Sequence, residues 1–410
     1  MINKFLLFGA FCLTLFSCKE NKAKIAPYGT PDACNVIAEL KVTDNGDTVT
    51  ICDLAKVSSS FSLKISDLVD SLEIVKLDVS QDENFVKTGK VFLSDNYIGV
   101  KSEDQYKLFD RKGNFVRNIG RKGGGPGEYI GYIYDSQIDE KNDRIYIIEM
   151  GDVTKILTYD LKGKFIQDIP LVYKIHKGCI NVESESERVT VTSMPWKGSE
   201  TPLVWTQNFK GSLLSEAWRN QTAVYPEFSS EVNSGMPQYG LEYGIFVVSI
   251  ESRSDTLYHY NTVNGSILPR FAVKYPNADK IPLHTYYELP NYYIVELYEK
   301  VMQGMDMTAS PRTRVIIDKK TLKGGNFDLI LDPLGGLLHK GYIAESRDGH
   351  FILNIDPGDL KNLIDESTHL LRDYLSSGDI QKLKDFNLSI SVDDNNYIIL
   401  GKWKGVKSNK

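Results

Sequence analysis

The stretch FDRKGNFVRNIGRKGGGPGEY, from Phe109 to Tyr129, is the strongest structural signal in the 410-residue sequence. Its first half belongs to LFDRKGNFVRNI, which aligns with TYDLKGKFIQDI, Thr158 to Ile169, about 50 residues further on. In both copies an Asp is followed by a Gly and then by a Phe at the same spacing. Glycine supplies the positive φ of a tight turn, and the Asp can hydrogen-bond the local backbone. The segment therefore predicts a β-hairpin corner that the chain uses repeatedly.

Weaker copies of this corner recur at intervals of about 50 residues, a period typical of propellers and solenoids. A short run of β-branched and aromatic residues, such as YIGV or RIYII, precedes each corner. This order of strands and turns predicts four-stranded antiparallel sheets, which stack radially because one sheet cannot bury both of its faces. We therefore predict an all-β fold, a six-bladed β-propeller of four-stranded antiparallel blades. The turn glycines of the weaker copies are Gly211, Gly265 and Gly324.

A predicted strand from Leu72 to Leu77 precedes the first repeat. We expect it to pair with the last blade and close the ring, because closure removes the exposed sheet edge. The predicted units are residues 90–130, 131–173, 176–218, 229–275 and 286–331, the last with an expanded loop at 302–311, followed by a sixth unit from 338 onward.

The last unit is interrupted between Asp356 and Phe386, where strand alternation stops. Apolar residues such as Leu360, Ile364 and Leu371 fall instead at helical spacing. We predict one or two amphipathic helices, at about 357–386, inserted into the last blade and packed on the rim of the propeller. The alternative is a functional insertion that docks a partner.

The N-terminus begins MINKFLLFGAFCLTLFSC, one Lys followed by an apolar run that is too short to span a bilayer. Residues 1–17 are predicted to be a signal peptide that ends in a lipobox-like LFSC, so that Cys18 carries a lipid. An ordinary signal peptide that happens to contain a Cys is the alternative. Residues 18–60 are expected to form a lipid-anchored tether and an irregular segment, and residues 61–410 the propeller.

Composition excludes some classes of function and of site. The net charge of −6 argues against a nucleic-acid partner. The sequence has no CxxC and no HExxH, which argues against a structural zinc site. Cys34 and Cys52 could form a disulfide near the N-terminus, or these two and Cys179 could be separate thiols.

Four segments together resemble a known family. The lipobox, ISDLVDSLEIVKLD, FDRKGNFVRNIGRKGGGPGEY and the C-terminal DDNNYIIL are similar to those of the six-bladed β-propeller lipoproteins of Bacteroidetes, which are NHL-related propellers. The resemblance implies the propeller fold and an exported protein, lipid-anchored in the cell envelope at the outer membrane. It implies hardly any specific activity.

The glycine-rich loop is the first candidate site. Gly123, Gly124, Gly125 and Gly127 could present backbone amides to an anion, with Glu128 beside them. The loop is not a Walker A motif, because no Gly-Lys-Ser/Thr follows. We favour the alternative, a structural link between blades in which Glu128 binds a backbone amide or an Arg of a neighbouring blade.

Carboxylates at the starts of blades are the second candidate site. Asp135, Asp139, Asp393 and Asp394 could line the centre of the ring and hold calcium, which prefers oxygen ligands. We predict no cofactor and nominate no metal ligands, with calcium as the alternative. The tryptophans could stack on sugars or fill the core; they include Trp196, Trp205 and Trp218.

Three functions remain open from the sequence. We favour a non-catalytic binding or scaffold propeller, anchored to the membrane through Cys18, for a glycan, peptide or protein partner. The alternative is a propeller-type lyase or hydrolase with a divalent metal, although no GxSxG motif or other catalytic residue can be nominated. The third is a signalling module whose helical insertion docks a membrane partner.

Overall fold

Six sheets arranged as blades around one axis contain most of the strands. The computed structural model describes residues 26–86, 89–102, 105–226, 229–234, 242–303, 306–343 and 349–406. The predicted all-β six-bladed propeller is confirmed, as is the small helical insertion near the C-terminus.

The N-terminal part contributes strands before the first blade. These elements are β1 (Ala38–Val42), β2 (Thr48–Asp53), β3 (Ser60–Lys64), a short helix α1 (Ile65–Leu68) and β4 (Val69–Lys76).

The first three blades are four-stranded antiparallel sheets. Blade 1 contains β5 (Gly89–Leu93), β6 (Tyr97–Ser102), β7 (Gln105–Asp110) and β8 (Phe115–Ile119). Blade 2 contains β9 (Ile133–Asp139), β10 (Arg144–Glu149), β11 (Val153–Tyr159) and β12 (Phe165–Ile175). Blade 3 contains β13 (Gly178–Glu183), β14 (Arg188–Ser193), β15 (Val204–Asn208) and β16 (Leu213–Ala217).

The last three blades carry additions. Blade 4 contains β17 (Glu231–Ser234), β18 (Glu242–Val248), β19 (Thr256–Asn261) and β20 (Ile267–Lys274). Blade 5 spans β21 (Leu283–Glu288), β22 (Tyr292–Tyr298), a separate hairpin of β23 (Lys300–Gln303) and β24 (Asp306–Ala309), then β25 (Thr313–Asp318), β26 (Gly324–Leu331) and β27 (Leu337–His339). Blade 6 contains β28 (His350–Ile355), the helices α2 (Pro357–Leu370) and α3 (Ser377–Ser389), and β29 (Tyr397–Trp403).

The ring is closed by β4, which pairs antiparallel with β29 and places Ile74 opposite Ile399. The predicted closing strand at 72–77 is therefore confirmed. In the described residues this blade has three strands rather than the predicted four, in the order β28-β29-β4. Just beyond β4, Leu77 N donates to Asn396 O at 3.1 Å.

The prediction of an irregular segment before residue 61 is wrong for part of its length. β1 and β2 form a hairpin that lies along blade 4, with β2 parallel to β20, and β3 lies parallel to β26 of blade 5. We call Ala38–Lys76 the N-terminal strap. It covers the outer edges of blades 4, 5 and 6, which would otherwise expose unpaired backbone groups.

Each interface between neighbouring blades has its own buried hydrophobic cluster. The cluster between blades 6 and 1 includes Val75 of β4 together with Ile98 and Phe109 of blade 1. Gly113, in the corner of the first repeat, has φ 88° and packs against the end of β4, with Asp78 N donating to its carbonyl at 2.9 Å. The repeat that defines the blades thus also contacts the strand that closes the ring.

The two inserted helices are confirmed and form one packed unit with blades 5 and 6. The side chain of Asp356 caps the first turn of α2, and Ser376 caps that of α3. Leu360, Ile364 and Leu383 are fully buried in the cluster between these blades. α3 continues to Ser389, three residues beyond the predicted end at 386.

The three cysteines of the described residues are buried free thiols. Cys34 and Cys52 do not form the disulfide that the sequence left open. Burial raises the pKa of Cys52 to about 12, so this thiol stays protonated and unreactive.

Candidate functional site

The innermost strands of neighbouring blades run in the same direction. Asp135 of β9 accepts a hydrogen bond from Ile180 N of β13 at 2.8 Å, and Gln137 accepts one from Val182 N at 2.8 Å. Both contacts join residues 45 positions apart, which requires parallel strands. The starts of the inner strands therefore lie together at one end of the ring, and the glycine corners lie at the other.

A cluster of charged side chains marks the end at which the inner strands begin. Lys90 and Lys101 face each other across β5 and β6 of blade 1, while Asp135 lies near the start of β9. Lys177 precedes β13 and Glu231 begins β17. We call these five residues the lysine cluster and their end of the ring the lysine end; the opposite end is the turn end.

Lys177 is the fully buried lysine of the cluster, and its partner Glu231 is partly exposed. Lys177 is 1% exposed, and its ammonium group donates to Glu231 Oε1 at 2.8 Å and to Ser230 O at 3.0 Å. Tyr134 of blade 2 reaches Glu231 Oε2 of blade 4, with a distance of 2.5 Å between the oxygens. Burial and the neighbouring Cys179 and Glu231 raise the pKa of Tyr134 well above its ordinary value, so its hydroxyl remains a donor. The carboxylate of Glu231 is held from two blades.

Lys90 and Asp135 form the second ion pair of the cluster. Lys90 Nζ lies 3.2 Å from Asp135 Oδ1, and half of the lysine side chain is exposed. Asp135 itself is fully buried and also accepts the Ile180 amide. The pair thus connects blades 1, 2 and 3 at the lysine end.

Lys101 is the third ammonium group of the cluster and differs from the other two. It is half-buried, and its ammonium group makes no hydrogen bond within the described part of the chain. Burial lowers the pKa of Lys101, the charges of Lys90 and Lys177 lower it further, and the charge of Glu231 opposes them in part. This arrangement can accept an anion, because a negative charge would compensate the ammonium group that lacks a hydrogen-bonded carboxylate.

Aromatic rings stand exposed at the same end of the ring. Tyr132 lies just before β9 and is 55% exposed, and Tyr225, in the connection before β17, is 64% exposed. Lys197 Nζ lies 3.5 Å from the centroid of the Tyr225 ring, and the neighbouring Trp196 forms a β-bridge with Val224. Of the other tryptophans, Trp205 is buried core and Trp218 is 45% exposed.

The glycine-rich loop joins β8 to β9 and so also lies at the lysine end. Glu128 Oε2 accepts the Gly125 amide at 2.8 Å, and Arg121 Nε lies 2.5 Å from Glu128 Oε1. These contacts lower the pKa of Glu128. Gly123 N donates to Tyr129 O at 3.0 Å. The loop places its own carboxylate on the Gly125 amide, and the Arg partner comes from the loop itself rather than from a neighbouring blade. An anion contact at Gly123, Gly124, Gly125 and Gly127 stays a prediction.

The carboxylates named from the sequence take part in separate contacts. Asp139 accepts hydrogen bonds from the side chains of Asn142 and Ser184, and Asp394 lies 2.6 Å from Lys76 Nζ and 2.6 Å from Tyr397 OH. Across the described ranges, no group of three or more His, Cys, Asp or Glu side chains could hold a metal ion. Calcium binding stays an untested alternative.

Two other features bear on the predictions. Cys18 lies outside the described residues. No helix within the described ranges is both long and apolar enough to cross a lipid bilayer.

The sequence interpretation missed Lys90, Lys101, Lys177, Tyr134 and Glu231. The sequence did contain one indication of this cluster. Four of the five residues lie at or near the start of an inner strand, so they recur along the sequence at about the spacing of the blades. Lys101 could not be found in this way, since only the pairing of β6 with β5 brings it beside Lys90.

A family model described as "Domain of unknown function (DUF4934)" matches residues 49–402. The chain belongs to this family. The match begins within the N-terminal strap and includes all six blades, so the strap strands β2, β3 and β4 are part of the family domain. No curated protein matches the chain.

Three solved structures are similar to the chain. A Bacteroides fragilis protein described as exported has 17% sequence identity and a TM-score of 0.55, with 84% of this chain and 100% of that chain covered. A Bacteroides caccae protein of unknown function has 15% identity and a TM-score of 0.36, over 58% and 80% of the two chains. Kuenenia stuttgartiensis hydrazine synthase has 11% identity and a TM-score of 0.40, over 73% and 87%. The first likeness supports the fold and extends no further.

Proposed function

We propose that the chain is an exported propeller, lipid-anchored in the cell envelope, that acts as a non-catalytic binding or scaffold module. Its ligand is a glycan, peptide or protein that binds at the lysine end. The observation that carries this proposal is the combination, at one end of the ring, of the lysine cluster with the exposed rings of Tyr132 and Tyr225.

The physical support lies in how the cluster is held. Lys177, Asp135 and Tyr134 are fixed by hydrogen bonds that cross between blades, so the polar groups are in place before a ligand arrives. Preorganised polar groups beside exposed aromatic surface are typical of ligand sites, because little ordering entropy is lost on binding.

The location rests on the N-terminal sequence and on one relative. The lipobox-like LFSC supports lipidation of Cys18, which precedes the strap in the sequence. The Bacteroides fragilis protein with the same fold is described as exported. Anchoring through Cys18, in the outer membrane, would hold the propeller at the membrane surface as a receptor or scaffold.

A binding experiment with matched variants tests this function. Residues 24–410 would be applied to arrays of envelope glycans and peptides, together with Tyr225→Ala and with Tyr374→Ala, an exposed tyrosine between α2 and α3 that is not part of the lysine cluster. We expect Tyr225→Ala to weaken the binding of the captured ligand about tenfold or more, because an exposed ring that packs on a ligand contributes on the order of 1–2 kcal/mol. Tyr374→Ala should bind as the unchanged protein does.

Two results would contradict the proposal. One is that no array member binds at all. The other is that Tyr374→Ala loses binding while Tyr225→Ala keeps it, which would move the ligand site to the inserted helices.

A further inference from the structure

Among its five residues, the lysine cluster has more ammonium groups than carboxylates. Counted over the described residues, three ammonium groups are paired with only two carboxylates. Glu231 is engaged by Lys177 and Tyr134, and Asp135 by Lys90 and the Ile180 amide. Lys101 is therefore the member whose charge no hydrogen-bonded carboxylate of the described chain compensates.

Holding this ammonium group half-buried beside two like charges is unfavourable for the folded protein. Desolvation and the repulsion from Lys90 and Lys177 act against the charged form of Lys101, and the attraction of Glu231 offsets only part of this effect, so the pKa of Lys101 is lowered. Arrangements that cost stability are characteristic of binding sites, where the ligand supplies the missing interaction. A carboxylate would accept hydrogen bonds from Lys101 and from the exposed part of Lys90, which lie opposite each other in the β5–β6 register.

The surroundings of the cluster favour one class of carboxylate ligand. Tyr132 precedes Tyr134 by two positions on the way into β9, and Trp196 stacks edge-on against His176, the residue before Lys177. Aromatic rings therefore flank the cluster in the chain, and Tyr225 is exposed at the same end. Flat, amphipathic rings pack against the CH faces of sugar rings while their polar groups stay in water.

We propose that the lysine cluster binds the carboxylate of an acidic sugar, with Lys101 as the central contact and the aromatic rings packing on the saccharide. This inference rests on the proposed binding function and specifies its ligand class. An acidic peptide is the competing ligand, and the experiment below separates the two.

The probes are trigalacturonic acid, neutral maltotriose and an acidic tripeptide, tri-aspartate, titrated into residues 24–410 by calorimetry. The test variant is Lys101→Met, which keeps an unbranched apolar stem and removes the charge. The matched control is Lys112→Met, an exposed lysine in the glycine corner of blade 1 at the turn end.

We expect trigalacturonic acid to bind and the other two probes not to bind. Lys101→Met should weaken this binding about tenfold to a hundredfold, the size of effect that removal of a charge-assisted hydrogen bond produces, while Lys112→Met should not change it. Without ligand, the Lys101→Met variant should melt at the same temperature as the unchanged protein or higher, because the buried repulsion is removed. A merely structural lysine would give the opposite shift.

The acidic-sugar proposal is overturned if Lys101→Met keeps full affinity, or if maltotriose or tri-aspartate binds as tightly as trigalacturonic acid. Should the variant fail to fold, the unchanged protein still decides the question. Raising NaCl from about 0.05 to about 0.5 M must weaken the binding of trigalacturonic acid, and an affinity indifferent to salt contradicts the proposal.

These outcomes separate the two claims. If trigalacturonic acid does not bind but an array ligand does, and Tyr225→Ala loses that ligand, then the binding function stands and the acidic-sugar class is wrong. If nothing binds at the lysine end in either experiment, both are wrong.

Discussion

Gly127 illustrates how much one residue of the glycine-rich loop determines. Its φ is 70°, and a Cβ there would lie 2.3 Å from Cγ of Phe165 on β12 of the next blade. Its carbonyl also accepts a hydrogen bond from Tyr159 OH at 2.8 Å. The loop therefore joins blades 1 and 2 through close backbone contact, in agreement with the structural interpretation that the sequence favoured.

Replacing Gly127 by Ala should lower the free energy of unfolding by about 2 to 4 kcal/mol. The loss combines a left-handed backbone, which an L side chain disfavours, with overpacking against Phe165. Gly124→Ala is the matched control, because nothing lies within 4 Å of the position of its added Cβ. We expect its free energy of unfolding to stay unchanged or to rise by up to about 1 kcal/mol. Urea unfolding measures both; equal stability of the two variants would refute the blade-link role.

His339 should make the stability depend on pH. It is buried, its Nε2 lies 2.9 Å from Tyr342 O, and burial, then the nearby Arg314 charge, lowers its pKa from 6.5 to about 3. Between these values the unfolded chain binds a proton that the folded chain does not. The free energy of unfolding therefore contains a contribution from neutral His339 that is fully present above pH 6.5. That contribution is lost as the pH falls from 6.5 towards 3.

Urea unfolding between pH 7 and 4 measures this effect. The unchanged protein should lose up to about 1.4 kcal/mol per pH unit from this group alone, and His339→Gln, whose amide can still donate to Tyr342 O, should lose less. His369→Gln, on the exposed face of α2, is the control. Its free energy of unfolding should depend on pH as steeply as that of the unchanged protein. Identical slopes for all three proteins would contradict a buried neutral His339.

At the scale of elements, sequence reasoning succeeded where a local pattern repeats. The repeated Asp–Gly corners predicted the blades correctly. In the structure, Asp110 Oδ1 accepts hydrogen bonds from the backbone amides of Lys112 and Asn114, both at 2.9 Å, as the turn chemistry predicts. The helical spacing of Leu360 and Ile364 gave α2, and both residues are buried. Patterns whose physical cause lies within a few residues could be predicted.

The N-terminal strap shows why the rest could not be predicted. β1 has one buried residue followed by four exposed ones, so it lacks the alternation that signals a half-buried strand. Its partners, β2 and the parallel β20, are set by packing on the rim of blade 4, which no local pattern encodes. The lysine cluster was missed for the same reason, because its members come from four different blades.

Two truncations should separate the roles of the strap strands. A chain starting at Ser58 lacks β1 and β2 but keeps β4, and it should melt cooperatively at a lower temperature. A chain starting at Ser80 also lacks β4, whose buried Val69 and Val75 each contribute about 1.5 to 3 kcal/mol, and the open ring should lose cooperative melting. If the second truncation melts like the full domain, β4 does not close the ring.

For the whole molecule, the two ends of the ring have different chemistry. The turn end carries the glycine corners. The inserted helices begin just after Asn354 of β28, whose side chain donates to Gly89 O at the start of β5, so they leave the blade at the lysine end. The lysine end carries the lysine cluster, the glycine-rich loop and exposed aromatic rings. The helices contribute Leu360, Ile364 and Leu383 to the core, which favours a structural role for them over partner docking. We therefore propose the lysine cluster, rather than the inserted helices, as the ligand site.

The measurement that tests this assignment most directly is hydrogen–deuterium exchange of residues 24–410, with and without trigalacturonic acid or the array ligand. Bound ligand should slow exchange at the starts of β5, β9, β13 and β17, and leave the corners at Gly113, Gly163 and Gly211 unchanged. Slower exchange confined to those corners or to α2 and α3 would contradict the account, as would no change at a saturating ligand concentration.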